Sequence, residues 1–366
     1  DGSGDWTYDH TGTTLSEGTY SITAKAIDAA GNSSLASSAL PIEIDITNPN
    51  APVVASINGD SGISGTDELT NDQSLEFGGT AEANNTVEVF IGGSSIGTTT
   101  SDGNGDWTFD HTATSLSAGS YSITAKSTDA AGNTGSSSSV LLIEIDITAP
   151  SAPSVMSIST DSGISGTDEL TNDQTLEFIG TAEANSTVEV FIGGSSIGTT
   201  MTDGSGDWTF DHTSTSLSAG SYSITAKSTD DAGNTSAAST VLSLEIDILV
   251  NAPVLVSIST DTGISSSDEV TTDQSLEFIG TAESNSEVEV FIGGSSIGTT
   301  TADGSGDWTF DHTSTNLSEG VHSVTARATD EAGNLSSSST TFTVEVDLTN
   351  PNAPVVASIG DDNGIS

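Results

Sequence analysis

Acidic oxygens recur in this sequence at fixed offsets. Asp-Ser-Gly-Ile-Ser-Gly-Thr-Asp-Glu stands at 60–68 and again at 161–169, with Asp-Thr-Gly-Ile-Ser-Ser-Ser-Asp-Glu at 261–269. Thr-Ala-Glu ends at Glu82, Glu183 and Glu283, and Thr-Asp-x-Ala-Gly-Asn begins with Thr128, Thr229 and Thr329. Carboxylate and amide oxygens without cationic partners suit a hard cation. Ca2+ takes six to eight oxygens in flexible geometry, whereas Mg2+ demands a near-ideal octahedron and holds its waters. Zn2+ fits least, because there is no cysteine and no histidine cluster. One Asp-x-Gly segment alone reads as an Asx turn, its side chain bonding its own backbone. Three such segments per repeat, brought to one place, read as a cation site.

Catalytic constellations are missing from the pattern. His10, His111, His212 and His312 each close an Asp-Trp-Thr-(Phe/Tyr)-Asp-His run, one per repeat, so they mark a structural position. No Gly-x-Ser-x-Gly stands on a strand-to-helix elbow. Gly-Gly-Ser-Ser-Ile-Gly lacks the lysine and helix that would cradle phosphate. Asp102, Asn104 and Asp106 imitate the first ligands of an EF-hand loop, but Ala113 stands where the bidentate Glu belongs. That segment reads instead as a glycine-rich hairpin. Together these features predict a chain that is not an enzyme.

The elements that carry these residues repeat. The 366-residue chain has tryptophans at 6, 107, 208 and 308, and prolines at 52, 153, 253 and 354 keep the same step. The period predicts three whole units, 49–149, 150–250 and 251–349, preceded by the back half of a unit (1–48) and followed by the start of another (350–366). Four basic against 52 acidic residues give a formal charge of −48. Phosphate polyanions and anionic membrane surfaces are thereby disfavoured as partners, and cations favoured. Absence of cysteine excludes disulfide scaffolds and thiolate chemistry, and no apolar run is long enough to span a bilayer.

Low hydrophobicity with high charge can mean disorder, but two-residue alternation decides otherwise. In the third unit Tyr222, Ile224 and Ala226 share one face, with Ser223, Thr225 and Lys227 on the other. Val188, Val190 and Ile192, and Leu242, Leu244 and Ile246, alternate likewise; Gly, Asn, Asp and Ser fill the gaps. Seven short strands in about a hundred residues predict an all-β immunoglobulin-like sandwich, and the chain a tandem array of them joined end to end. Leu-Ser-x-Gly-x-Tyr places Tyr20, Tyr121 and Tyr222 at a tyrosine corner. His322 replaces it in the last unit, which predicts a weaker or differently bonded corner.

The runs DTGISSSDEVTTDQSLEFIGTAESNSEVEVFIGG, ADGSGDWTF, ATDEAGN and VEVDLTNPNAP resemble the bacterial Ig-like extender repeats of giant repeats-in-toxin-type, type I secreted adhesins and biofilm-associated surface proteins. The resemblance covers every unit. It implies an extracellular, cell-surface chain of tandem sandwiches that carries a ligand-binding tip away from the cell, with calcium bound between neighbours.

Strand order allows the calcium to be derived independently. In such a sandwich the first loop and the end of the last strand share the exit pole, while the second-to-third and sixth-to-seventh strand loops share the entry pole. The first joint would then gather Asp45 with Glu82, Asp129 and Asn133. The second would gather Asp60, Asp67 and Asp146 with Glu183, Asp230 and Asn234, and the third Asp161, Asp168 and Asp247 with Glu283, Asp330 and Asn334. Asp261, Asp268 and Asp347 would begin a fourth. In the third joint Glu-Ile-Asp-Ile-Leu-Val-Asn-Ala-Pro loses a threonine and a proline, predicting a looser link. The expected partners are calcium ions and neighbouring repeats of a chain that is monomeric in isolation. A self-associating matrix or surface-layer protein, and a carbohydrate- or protein-recognition module, are the competing readings; the near identity of the loops disfavours the second.

Overall fold

The computed structural model describes residues 2–357, and every regular element among them is a strand. The start of a further repeat expected at 350–366 therefore lies, for 358–366, outside the described residues. By backbone contacts the chain divides into two compact units. Among the described residues, one comprises 2–152 with the turns 185–187 and 227–237; the other comprises 153–184, 188–226 and 238–357.

In the first unit, β1 (Gly18–Ile22) and β2 (Leu40–Ile44) form an antiparallel pair. A complete sandwich follows: β3 (Val53–Asn58), β4 (Leu69–Thr70), β5 (Glu76–Thr80), β6 (Thr86–Ile91), β7 (Ser94–Thr100), β8 (Asp106–Asp110), β9 (Gly119–Thr128) and β10 (Leu141–Ile145). One sheet runs β3-β5-β8 and the other β4-β10-β9-β6-β7. Inward-facing Leu75, Phe77, Val87, Val89, Ile123 and Ala125 have no exposed surface, and Trp107 closes the core at 3%. Alternation of burial along β9 follows directly from the two-residue period of its sequence. The third and fourth repeats have the same two strand orders.

Two features depart from the sequence expectation. The sandwich has eight strands, because its first splits: after Asn58 the chain leaves the three-stranded sheet and pairs β4 parallel to β10 in the other. The intervening segment is too rich in Gly, Asp and Ser to hold a ladder, and Glu68 turns the chain at a φ of 58°. Thr70, wholly buried, anchors the crossing by donating its hydroxyl to the Gly59 carbonyl at 2.8 Å. Secondly, the segment at 102–106 is no hairpin. β7 pairs with β6 and β8 with β5, so this turn carries the chain between sheets. Asp102 Oδ1 accepts the amides of Asn104 (2.8 Å) and Asp106 (3.0 Å), which closes the turn on itself.

The tyrosine corner is present: Tyr121 donates its hydroxyl to the Ser117 carbonyl at 2.9 Å and Tyr222 to Ser218 at 2.9 Å. His322 keeps the bond with another atom, its Nε2 lying 2.8 Å from the Ser318 carbonyl. Tyr222→Phe is expected to cost about 1 kcal/mol, the net worth of one such bond, in denaturant unfolding of the chain. Histidines 111, 212 and 312 rest against pairs of phenylalanine rings, with centroids 6.0–6.3 Å apart.

Candidate metal centre

The acidic residues at the joints are positioned by turns that first satisfy their own backbone. In the second unit Asp330 opens the turn Asp-Glu-Ala-Gly-Asn and is 2% exposed. Its Oδ1 accepts the Asn334 amide at 2.8 Å and its Oδ2 the Asn334 side-chain nitrogen at 2.8 Å. The same nitrogen reaches the Asp247 carbonyl at 2.9 Å, tying the end of the preceding repeat's last strand to this turn. Glu283, from the Thr-Ala-Glu turn, completes the group: carboxylate oxygens of Asp247, Glu283 and Asp330 lie within 4.8 Å of one another. Asp247 and Glu283 also line a cleft of about 540 Å³ with Leu249, Asn251 and Val254.

Three carboxylates at this spacing repel. Burial, then the charges of Asp330 and Asp247, push the Glu283 carboxyl above its ordinary value of 4.5, against a smaller opposing bond from the Asn251 amide. A divalent cation would reverse that balance by supplying charge and taking up the oxygens, and oxygen-only donors suit Ca2+. Since the folded pKa is raised, the metal-free protein loses stability as pH rises from the unfolded Glu value through the folded one. Glu283→Gln should therefore match the parent below that window and exceed it in stability above it, when chelator-treated samples are unfolded by denaturant.

Asn334, predicted as a ligand, uses its side-chain nitrogen as a brace between Asp330 and Asp247. Asp161 and Asp168 do not join the three-carboxylate group. Asp161 Oδ2 accepts the amides of Asp168 (3.0 Å) and Glu169 (3.1 Å), so its carboxylate is folded into its own loop. Asp161 Oδ1 is nevertheless buried with no hydrogen-bond partner, and Glu169 is pushed upward by burial and then by Asp161 and Asp168. The predicted single ligand set is thus two acidic groups at this joint. Asp261 repeats the arrangement, accepting from Asp268 and Glu269 with its Oδ1 equally orphaned, and the Asp347 carboxylate accepts the Thr349 amide at 2.9 Å.

The first unit uses the same parts. Asn133 donates to Asp129 Oδ2 at 2.9 Å and to the Asp45 carbonyl at 3.1 Å. That side-chain bond, foremost, holds the Asp129 carboxyl below its usual range. Glu82 is engaged otherwise: its Oε1 accepts both the backbone and side-chain nitrogens of Asn50, at 2.9 and 2.8 Å. Asn234 bridges Asp230 and the Asp146 carbonyl in the same manner, and Asp230 is 7% exposed. Asp60 accepts the Glu68 amide at 3.2 Å and Asp67 the Leu69 amide at 3.2 Å; Asp60 Oδ1 is the buried orphan here. Glu183 belongs to the other unit, where its carbonyl accepts the Thr202 hydroxyl at 2.7 Å. Asn50 and Asn251, which hold Glu82 and Glu283, escaped the sequence reading. Their signal was the residue two places before each joint proline.

Fold and repeat together define a tandem array of immunoglobulin-like sandwiches. The chain belongs to the bacterial Ig-like domain family, whose model matches residues 48–147, 148–248 and 250–348; a second model, bacterial Ig-like domain group 3, matches residues 4–91. No curated protein matches the chain. Among solved structures it is similar to part of a 1.5-MDa bacterial ice-binding adhesin, at 20% identity over 82% of this chain and 100% of that one, TM-score 0.36. A tetra-tandem repeat from the extending region of a large adhesion protein is 22% identical over 91% and 83% of the two chains, TM-score 0.31. Fibronectin(III)-like modules of Clostridium thermocellum CbhA are 16% identical over 54% and 100%, TM-score 0.31. Among the described residues no helix is long and apolar enough to cross a membrane.

Proposed function

We infer that this chain is a non-catalytic extender, a run of bacterial Ig-like repeats whose joints are stiffened by Ca2+ and which projects an adhesin's ligand-binding tip away from a bacterial surface. The observation that carries the reading is the meeting of Asp247, Glu283 and Asp330 within 4.8 Å, contributed by the end of one repeat and two turns of the next. A cation there would tie one repeat to its successor. The buried, unpartnered Oδ1 of Asp161 supports a second oxygen site nearby. Division of the chain near 49, 150, 251 and 350, at its joint prolines, belongs to the same proposal.

A charge of −48 would keep such a secreted polymer soluble and self-repelling, and no nucleic-acid partner is proposed. In dilute calcium, as inside a cell, the joints would articulate; outside, they would lock. Small-angle scattering of the chain with and without chelator tests this. A maximum dimension that grows and sharpens with calcium is expected. Identical profiles would overturn the calcium-stiffened rod, and concentration-dependent growth would favour the matrix protein instead.

A further inference from the structure

Successive repeats also touch where no carboxylate takes part. In the first unit Ile63 donates its amide to the Asp231 carbonyl at 3.2 Å, Asn71 its amide to the Ala232 carbonyl at 3.2 Å, and Ser61 its hydroxyl to that same carbonyl at 3.1 Å. In the second unit Ile164 donates to Glu331 at 3.1 Å, and the Ser162 hydroxyl to Ala332 at 2.8 Å. Every acceptor is a backbone carbonyl. The approach is close because glycine faces glycine. A Cβ on Gly62 or Gly163 would stand 2.0 Å from the carbonyl oxygen of Asp231 or Glu331, and one on Gly233 or Gly333 would stand 3.1 or 3.0 Å from the opposing glycine nitrogen.

The chain contains its own comparisons. Ala232 and Ala332, inside the contact, are 1% exposed, whereas Ala131 at the same place in the second repeat's turn is exposed. Gly263 has the left-handed φ of Gly163 (121° against 108°), yet an added Cβ there would meet nothing nearer than the Val270 carbonyl at 4.0 Å, and Ile264 beside it is fully exposed. Burial thus follows the contact and not the turn's own conformation.

We propose that the Gly-Ile turn after the first strand is a metal-independent latch that reads the Asp-x-Ala-Gly-Asn turn of the following repeat by backbone shape. The turn at 262–264 is then the same docking surface without an occupant among the described residues, fitted to the Ala-Gly turn of a further repeat of this kind. This rests on glycine sterics and amide-to-carbonyl bonds, and stands or falls apart from the calcium reading.

Amide hydrogen exchange of the full chain in chelator tests it. Ile164 should exchange at least about tenfold more slowly than Ile264, as expected for an amide closed by a stable contact. Gly163→Val should abolish that protection with or without calcium while the core amide of Phe178 stays slow. Gly263→Val carries the same left-handed backbone penalty and should leave Ile164 protected. Joining a copy of residues 150–249 after residue 349 should slow Ile264. If Ile164 exchanges like Ile264 in chelator, or Gly163→Val leaves it slow, the latch is overturned; if Ile264 stays fast in the extended chain, the docking surface is. Failure of the calcium reading would instead appear as calcium-insensitive scattering with Ile164 still protected.

Discussion

Gly180→Ala is expected to destabilise the third sandwich by about 3 kcal/mol or more, at the upper end for overpacked cores. A Cβ there would stand 2.0 Å from the Ser154 carbonyl oxygen and 2.5 Å from Trp208 Cζ2. Neither neighbour has room to give. Ser154 belongs to the strand Ser154–Ile158, which pairs with Glu177–Thr181, and Trp208 is 2% exposed with its ring seated on the Gly180 backbone. The same step recurs at Gly79 and Gly280, each beneath its own tryptophan, so each of the three whole repeats contains one such position. Trp208→Ala should cost a comparable 3–5 kcal/mol, by cavity formation instead of crowding. Gly204→Ala is the control, because nothing lies within 4 Å of its added carbon, and it should change stability by no more than about 0.5 kcal/mol. Calorimetry of the three variants separates the cases. Equal transitions for the Gly180 and Gly204 variants would contradict the packing described.

Calcium should raise the unfolding temperature of the chain, and Asp330→Asn should remove the share of that rise belonging to the joint at Asp247. Mass action gives about 2.7 kcal/mol for one site at a hundred times its dissociation constant. Asp330 is the residue to change because its two oxygens hold Asn334, and through it Asp247, in place. Asparagine keeps the volume, removes one charge from the three-carboxylate group and sets an amide nitrogen against the nitrogen of Asn334. Titration calorimetry should accordingly show fewer calcium ions bound by the variant, with the calcium-dependent gain reduced. In chelator the variant loses one bond and also some repulsion, so its stability should move far less there. An undiminished calcium gain would remove Asp330 from the site.

Much of this protein lies in its sequence. The spacing of Trp6, Trp107, Trp208 and Trp308 set the repeat, and alternation in runs such as 222–229 set the strands, because a strand's two faces are a local property of residue order. The absence of cysteine ruled out disulfides and thiolate ligands equally directly. Strand order even predicted that Asp247, Glu283 and Asp330 would share a joint, since a sandwich's loops are sorted to its two poles by topology alone.

Only the tertiary structure decided which oxygens face one another. Asp161 and Asp168 sit in the predicted loop, but the left-handed turn at Glu169 and the amides that capture Asp161 draw them into a group of their own. The crossing strand at Leu69–Thr70 formed because a partner edge on β10 was available, something no window of nearby residues contains. The glycine contact between Gly62 and the turn at Asp231 joins residues far apart in the chain. Local sequence fixes dihedral preference and facing; the direction of a side chain in an irregular turn depends on which distant amide or carbonyl reaches it first.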